Sequence, residues 1–483
     1  MKSDRFPAMS NRGLRAERIS GMDAWQLYQE TDLQVGNGVC LMVLDRSSVD
    51  GDVCEHLIRE VGDRLHLLPV YTKVLFDPWY NIDRSMLVPT TDVDLRRHIT
   101  RLAMPDPGGL AGAAKAFADI RGRHLDRSEP LWHTYVIEEA GSNLCYLVSL
   151  VHHLLVDGDA AMDVVGALFI PGDVSGTPAR PVDPDNTFEP RLRSVVADGF
   201  RRKATRLRRL PSLLRTTLRT RRIDRAHRRH SPTTPRTALN CTLSGESTVA
   251  LTVLPFDSMV EVAHAQDVTV NHVLLSCVGR ALRMTLQEDG RSVDRPLVAA
   301  VPFAMRDADQ SDYITEGVGS TTILRIGMCD DIADPVERLT AIAVQAREAK
   351  EAQERRGVNL FRQWNEYIPG KAVSTLFRMI ERFGLAENID WPCNAIVSNA
   401  SGMTLDGVVY ANLPARQCFG AGPLYHGMGP SIFALNWNGE FCIAVTADRK
   451  HVRHADLITE RIDQQFTELL TATRELQIRE RRA

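Results

Sequence analysis

The chain has 483 residues, more than one hydrophobic core usually spans, so two domains are expected. Its composition, 44% hydrophobic and 25% charged, is that of an ordinary globular protein, and a net charge of −3 selects no partner by itself. Nine scattered cysteines, none in a Cys-x-x-Cys pair, argue for reduced thiols in a cytoplasm and against a zinc site or disulfide framework. No apolar run reaches the roughly 18 residues of a membrane span, and Met1-Lys2-Ser3-Asp4-Arg5 lacks the apolar core of a signal peptide.

Residues 1–15 are polar and are expected to be disordered. Ser20 or Asp23 can cap a short helix carrying Trp25 and Leu27. Residues 35–44 read as a strand. Residues 53–61 read as a helix with Cys54, Leu57 and Val61 on one face. An extended aromatic segment over 69–83 and a strand over 92–103 follow. Gly108-Gly109 then precedes a helix over 110–122. Turn chemistry from Leu125 to Glu129 leads through Pro130-Leu131-Trp132, a core plug, into a strand over 132–138.

The next strand, from Leu144 to Val151, is strongly apolar and ends on His152-His153. Asp157-Gly158 follows, and Asp157 or Asp159 can cap an apolar helix over 160–169. Unpaired imidazoles at the end of a buried run are costly. Side chains alternate faces along a strand, so if the strand runs through both histidines, only one can look into a given cavity. The pattern predicts one working imidazole and one supporting one.

Five prolines between residues 171 and 190 mark a linker. Residues 201–230 then hold thirteen Lys and Arg against one acid, Asp224, with Phe200, Leu207, Leu210, Leu213, Leu214 and Leu218 interleaved. Such a stretch suits an anionic membrane or lipid-droplet surface. A solvated interdomain helix is the alternative. Nucleic acid is disfavoured, because no aromatics are interleaved to stack bases. A second domain begins near Thr237. It holds strands over 247–255, 296–302, 320–327 and 395–399. It also holds helices over 256–265, 273–285, 334–354 and 455–475, and a hairpin, 431–437 with 440–446, turned by Asn438-Gly439. Thr269 or Asn271 caps the helix at 273. This alternation of strands and helices predicts an α/β protein with its site between two domains.

Competing chemistries are absent from the sequence. There is no Gly-x-Ser-x-Gly elbow, no P-loop and no His-Glu-x-x-His. Adjacent histidines are poorly placed for one metal. What remains is a histidine acting as general base on a bound hydroxyl, which then attacks an activated acyl group such as a thioester. Neutral donors are needed for the tetrahedral oxyanion.

His152-His153-Leu154-Leu155-Val156-Asp157-Gly158 resembles the His-His-x-x-x-Asp-Gly signature of the CoA-dependent acyltransferase superfamily. Its surroundings resemble one branch, the bacterial wax ester synthase/diacylglycerol acyltransferase family. The markers are Leu125-Asp126-Arg127 with Pro130-Leu131-Trp132, Ala300-Val301-Pro302, Ser398-Asn399 with Gly402, His426-Gly427-Met428-Gly429 and Thr446-Ala447-Asp448-Arg449. The likeness runs from about residue 16 to 475. It implies two chloramphenicol-acetyltransferase-like domains, each a mixed sheet with helices, and an active-site tunnel between them. It divides the chain into 1–15, 16–175 with the histidine motif, a linker over 176–236, and 237–483.

The resemblance further implies that His153 is the general base, His152 supports it, Asp157 is structural and held by an arginine, and Gly158 permits the turn. Asn271, Ser398, Asn399, Gly402 and His426 become candidates for acceptor, oxyanion or pocket contacts. Helix capping is an equal reading of Asn271, a strand-end turn is an equal reading of Ser398 and Asn399, and structure or pocket lining is preferred for His426. The family's usual Asn-Asp is Asn271-His272 here, and its Ser-Asn-x-Pro-Gly lacks the proline. The function implied is transfer of a long-chain acyl group from acyl-CoA, a co-substrate and not a cofactor, to diacylglycerol at the inner face of the membrane. No metal is implied. A long-chain alcohol acceptor, giving wax esters, is the second reading. A catalytically weak paralogue that binds lipid surfaces through residues 201–230 is the third.

Overall fold

Two six-stranded mixed sheets organise the chain in a computed structural model, which describes residues 16–49, 51–77, 81–155, 164, 167–169, 192–226, 232–291, 293–304, 321–356, 360–400 and 408–482. The strands in order are β1 (Glu17–Arg18), β2 (Asn37–Asp45), β3 (Lys73–Phe76), β4 (Met86–Pro89), β5 (Ile99–Ala103), β6 (Trp132–Glu138), β7 (Leu144–His152), β8 (Ser247–Pro255), β9 (Val298–Ala304), β10 (Thr321–Gly327), β11 (Ala395–Ala400), β12 (Val409–Tyr410), β13 (Leu413–Ala421), β14 (Ser431–Trp437) and β15 (Glu440–Asp448). The helices are α1 (Gly21–Tyr28), α2 (Val53–Arg64), α3 (Leu95–His98), α4 (Gly109–Arg121), α5 (Leu192–Ala226), α6 (Phe256–Ala265), α7 (Val270–Glu288), α8 (Pro335–Arg356), α9 (Leu360–Asn365), α10 (Gly370–Phe383) and α11 (Ala455–Arg482).

The first sheet has the order β12-β13-β2-β7-β6-β5 and the second β10-β9-β11-β14-β15-β8. Each is antiparallel except where β5 meets β6, and where β11 meets β9 and β14. The parallel contacts require crossovers: α4 lies between β5 and β6, helices α8 to α10 lie between β9 and β11, and β12 and β13 of the other sheet lie between β11 and β14. Strand β7 lies between β2 and β6, which is why its residues Leu144 to Val151 are apolar almost without break. Each sheet has its own core. Leu41, Leu147, Val148 and Phe117 are in the first, and Leu274, Ile432, Ile443 and Ile458 in the second.

The first sheet draws on both sides of residue 237. β12 and β13 belong to the second half of the sequence, yet they complete the first sheet, with Phe419 opposite Leu41 and Ala421 opposite Val39. Helix α10 likewise packs on α1, where Trp25 meets Phe377 edge to face at 6.0 Å. The reason is pairing: without a neighbour the outer edge of β2 would leave its backbone N–H and C=O groups unpaired, and β13 is the strand that reaches it.

Three local expectations are corrected. The strand expected over 92–103 is a single helical turn, α3, followed by β5, because the Asp94 carboxylate accepts the Arg96 N–H and starts a helix first. Residues 69–72 form a 3₁₀ turn before β3, with Pro69 at its start. The linker includes the 35-residue helix α5, which is docked on the first half through Arg18–Asp198 and Arg206–Asp83 ion pairs. The stretch 1–15 that was expected to be disordered, the proline-rich stretch and most of the helix expected over 160–169 fall outside the described residues. Ser20 and Thr269 cap α1 and α7, each in a reciprocal capping box.

Candidate active site

Strand β7 ends at His152, and His153 opens a 3₁₀ turn that continues to Leu155. The strand therefore does not run through both histidines. Their separation comes from the turn: His152 stays in the sheet, opposite Asn37, while His153 leaves it. The backbone at this point is clamped from both sides. His152 N–H donates to Leu131 O and His153 N–H to Gly36 O, each at 2.9 Å.

Both ring nitrogens of His152 are occupied. The Leu154 N–H donates to Nδ1 at 3.1 Å, so the ring proton is on Nε2. From there it is directed at Glu30 Oε1, 3.2 Å away. Glu30 in turn accepts the Gly36 N–H at 2.7 Å, and its second oxygen pairs with Arg127 at 2.6 Å. Burial alone would raise the Glu30 carboxyl, but His152, Gly36 and Arg127 together outweigh it and hold it down at about 2. Glu30 is thus a fixed anion at neutral pH. Gly36 is needed for its lack of a side chain, since a Cβ there would lie 2.9 Å from His152 Nε2.

His153 is different. Among the described residues, no side chain hydrogen-bonds to its ring. Burial is the main influence on it and lowers its pKa, and the neighbouring His152 ring acts in the same direction. A hydrogen bond to its own backbone, and more weakly Asp23 on the first turn of α1, pull the other way. The result is a half-buried imidazole kept neutral at physiological pH, with no described side chain on its ring. Asp157 and Gly158 lie outside the described residues, as does Gly402.

The Pro-Leu-Trp element supports this strand end from behind. Trp132 stacks on Tyr71 and His98 at 4.3 and 4.4 Å, and its indole N–H donates to Tyr71 O. It is a core plug, and Leu131 beside it supplies the carbonyl that holds His152.

The other candidates fall into separate environments. Asn271 is on the first turn of α7, and its Oδ1 is buried with no hydrogen-bond partner among the described residues. A buried unpaired acceptor costs stability unless something donates to it. His272 accepts the Thr269 N–H through Nδ1, and its own N–H donates to Thr269 Oγ1. The residue standing where the family has an aspartate therefore closes the capping box as an acid would, and burial lowers its pKa and keeps the acceptor nitrogen bare. Ser398 is half-buried and Asn399 exposed on β11, opposite Phe433 and Ala434.

His426 is fully buried, with both nitrogens engaged. Nδ1 accepts the Leu243 N–H at 3.1 Å, and Nε2 faces Glu381 Oε2 at 3.1 Å and Thr31 Oγ1 at 3.3 Å. Its backbone N–H donates to Gln34 Oε1 at 2.6 Å. The seven residues from Glu30 to Gly36 are thereby held at two places. Glu30 and Gly36 grip the His152 side, and Thr31 and Gln34 grip the His426 loop.

Donor atoms of Cys241, Asp448 and His451 lie within 4.8 Å of one another. Asp448 is already occupied: its carboxylate accepts from Ser244 N–H and Oγ, from the Lys450 N–H and from the His451 ring. Its role is to lock the end of β15, and the cluster does not have a metal site's free donors.

Glu30 was not singled out by the sequence, and Asp23 was named only as a candidate helix cap. Glu30 is 122 residues from His152, and no spacing or periodicity announces the contact.

Comparison with solved structures defines the class. The fold is similar to the wax ester synthase/diacylglycerol acyltransferase from Marinobacter aquaeolei VT8, with a TM-score of 0.65, 18% identity, and coverage of 94% of this chain and 99% of that one. It is also similar to the TRI3 trichothecene 15-O-acetyltransferase from Fusarium sporotrichioides, with a TM-score of 0.55, 11% identity and 95% of each chain covered. At these identities the likeness establishes the two-domain condensation and acyltransferase fold alone.

The family model "Wax ester synthase/diacylglycerol acyltransferase catalytic domain" matches residues 19–274, and "WS/DGAT C-terminal domain" matches residues 320–470. The chain belongs to the wax ester synthase/diacylglycerol acyltransferase family. Two relatives from Mycobacterium tuberculosis are each 28% identical to it. "Putative diacyglycerol O-acyltransferase Rv1760" matches over 438 residues, 89% of this chain and 86% of its own. "Putative diacyglycerol O-acyltransferase Rv0221" matches over 470 residues, 94% of this chain and 96% of its own.

Proposed function

We propose that the chain transfers a long-chain acyl group from acyl-CoA to the hydroxyl of diacylglycerol, forming triacylglycerol, with His153 as general base. The observation that carries this reading is the contrast between the two histidines. His152 has both nitrogens engaged, while burial keeps His153 neutral and no described side chain occupies its ring. His153 takes the acceptor's hydroxyl proton as its oxygen attacks the thioester carbonyl. The tetrahedral intermediate then collapses, the C–S bond breaks, and the imidazolium returns the proton to the departing CoA thiolate. No acyl-enzyme forms.

Asn271 is suited to the acceptor side. Its unpartnered Oδ1 can receive a hydroxyl hydrogen, and its amide nitrogen can donate to an oxyanion. Ser398 and Asn399 remain donor candidates, His426 is a structural tie, and Asp157 and Gly158 keep the structural roles that the family motif implies. The capping role of His272 supports an active enzyme over a decayed one, since the start of α7 is intact despite the departure from Asp.

Residues 201–222 carry ten Lys and Arg and no acid, and their exposure supports contact with an anionic membrane or lipid droplet. Among the described residues no helix is long and apolar enough to cross a membrane. We place this contact, as a peripheral one, at the cytoplasmic face.

The test uses purified protein with labelled palmitoyl-CoA and either diacylglycerol or hexadecanol, beside His153→Ala. Triacylglycerol is the expected product, reduced about 10²–10⁴-fold in the variant. Equal rates from both proteins would sink the assignment of the base. Wax ester as the main product would move the acceptor to a long-chain alcohol.

A further inference from the structure

Helix α5 is two-faced in a way its composition conceals. Val195 and Leu213 turn inward and are buried. Phe200, Leu207, Leu214 and Leu218 are 63%, 66%, 46% and 60% exposed. At 100° per residue these four fall within about 40° of one another, a single outward stripe some 27 Å long. Arg208, Arg215 and Arg222 border it on one side, and Lys203 and Arg221 on the other. Among the described residues these five have no acidic partner.

Helix α10 repeats the arrangement. Val373, Phe377 and Ile380 pack inward, while Leu376, Met379 and Phe383 are 54%, 47% and 62% exposed. Lys371, Arg378 and Arg382 form an exposed basic row beside this apolar shoulder. Glu381, the acid of the last turn, is turned inward to His426 and Thr31. The two helices border one cavity of about 500 Å³, with Lys203 and Leu207 of α5 on one wall and Ile368 and Lys371 at the start of α10 on another. Tyr28, at the far end of the helix that carries Asp23, lines it too.

We propose that α10 is the second half of a lipid-docking face, whose first half is the outward stripe of α5, and that its occupant is an anionic lipid surface. The proposal extends the lipid-contact reading of residues 201–230 to a helix some 150 residues away in sequence. Both halves have the same chemistry. An apolar strip wide enough to enter an acyl boundary is edged by cations that reach phosphate headgroups. A dry protein partner would have to desolvate those cations or supply as many acids. Docked in this way, the protein presents the cavity and the outer end of α1 to the lipid from which a diacylglycerol would come.

The experiment is sedimentation of the full-length protein with phosphatidylcholine vesicles, with and without phosphatidylglycerol, at low and high salt. Three variants accompany it: Leu376→Ser/Phe383→Ser, Leu207→Ser/Leu214→Ser, and the four combined. Circular dichroism and thermal melting check that each is folded, as expected for exposed positions. Each pair should weaken binding to the anionic vesicles by roughly ten-fold, and the combination by more. Wild-type binding should fall at high salt. If the α10 pair binds like wild type while the α5 pair does not, the α10 proposal is overturned and the reading of residues 201–230 stands. If neither pair loses binding, both are overturned. A wild-type dimer that the α10 pair dissociates, with vesicle binding unchanged, would make a second copy the occupant and also overturn the proposal.

Discussion

Glu30 Oε1 lies 3.2 Å from His152 Nε2, and this contact takes up the ring nitrogen of His152 that carries its proton. With Nε2 committed to Glu30 and Nδ1 accepting the Leu154 N–H, His152 becomes part of the scaffold, while no described side chain holds the ring of His153. Glu30 is therefore a positioning residue.

Glu30→Gln should lower kcat by up to about 10²-fold with little change in the KM for acyl-CoA, because the ring behind the base loses its anchor. The charge also bears on stability. A carboxyl held at about 2 instead of 4.5 stabilises the folded protein above its unfolded pKa, and that stabilisation is lost as pH falls from about 4.5 toward 2. The linkage amounts to about 3 kcal/mol at neutral pH. Denaturant unfolding of both proteins at pH 7 and near pH 3 checks this. The gap between them should narrow at the lower pH, and a gap that does not change would exclude the charge as its origin.

The lowered pKa of His153 makes a kinetic prediction. The base must be neutral, so kcat/KM should fall as pH drops through its pKa, with the acid limb below the ordinary histidine value of 6.5. Asp23→Asn removes an opposing influence and should move that limb lower still. A limb at or above 6.5 that Asp23→Asn leaves in place would point to a base other than His153.

Gly36→Ala tests how closely the clamp is packed. The new Cβ would meet His152 Nε2 at 2.9 Å and Glu30 Oε1 at 3.2 Å. A loss of about 1–3 kcal/mol and a fall in kcat are expected. Wild-type activity and melting temperature in this variant would show that the loop before β2 can shift without disturbing the site.

His426 separates structure from catalysis. His426→Ala leaves the Leu243 N–H and the Glu381 carboxylate without their partner, and about 2–4 kcal/mol of stability should be lost. The kcat of the protein that remains folded should stay within about three-fold of wild type. A hundred-fold loss of kcat at unchanged stability would return His426 to the catalytic machinery.

The motif and the most strongly patterned elements were legible in the residues alone. Hydrophobic alternation and turn residues located β6, β7, β8, β14 and β15 almost to the residue, since buried strands and an Asn-Gly hairpin are local signals. Ser20 and Thr269 were legible as caps for the same reason. The histidine pair could be narrowed to one base by chemistry and resemblance. The contacts that no local pattern announces join partners far apart in the chain. Glu30 reaches His152 across 122 residues, β13 crosses into the first sheet, and Glu381 meets His426 and Thr31. In α5 the composition named the apolar residues but not which of them the fold would cover. Docking on Arg18 and Asp83 turned Val195 and Leu213 inward and left Phe200, Leu207, Leu214 and Leu218 outside. Local pattern fixes what a segment can become, while which side chain is covered and which nitrogen is occupied depend on surfaces that meet only when the chain is folded.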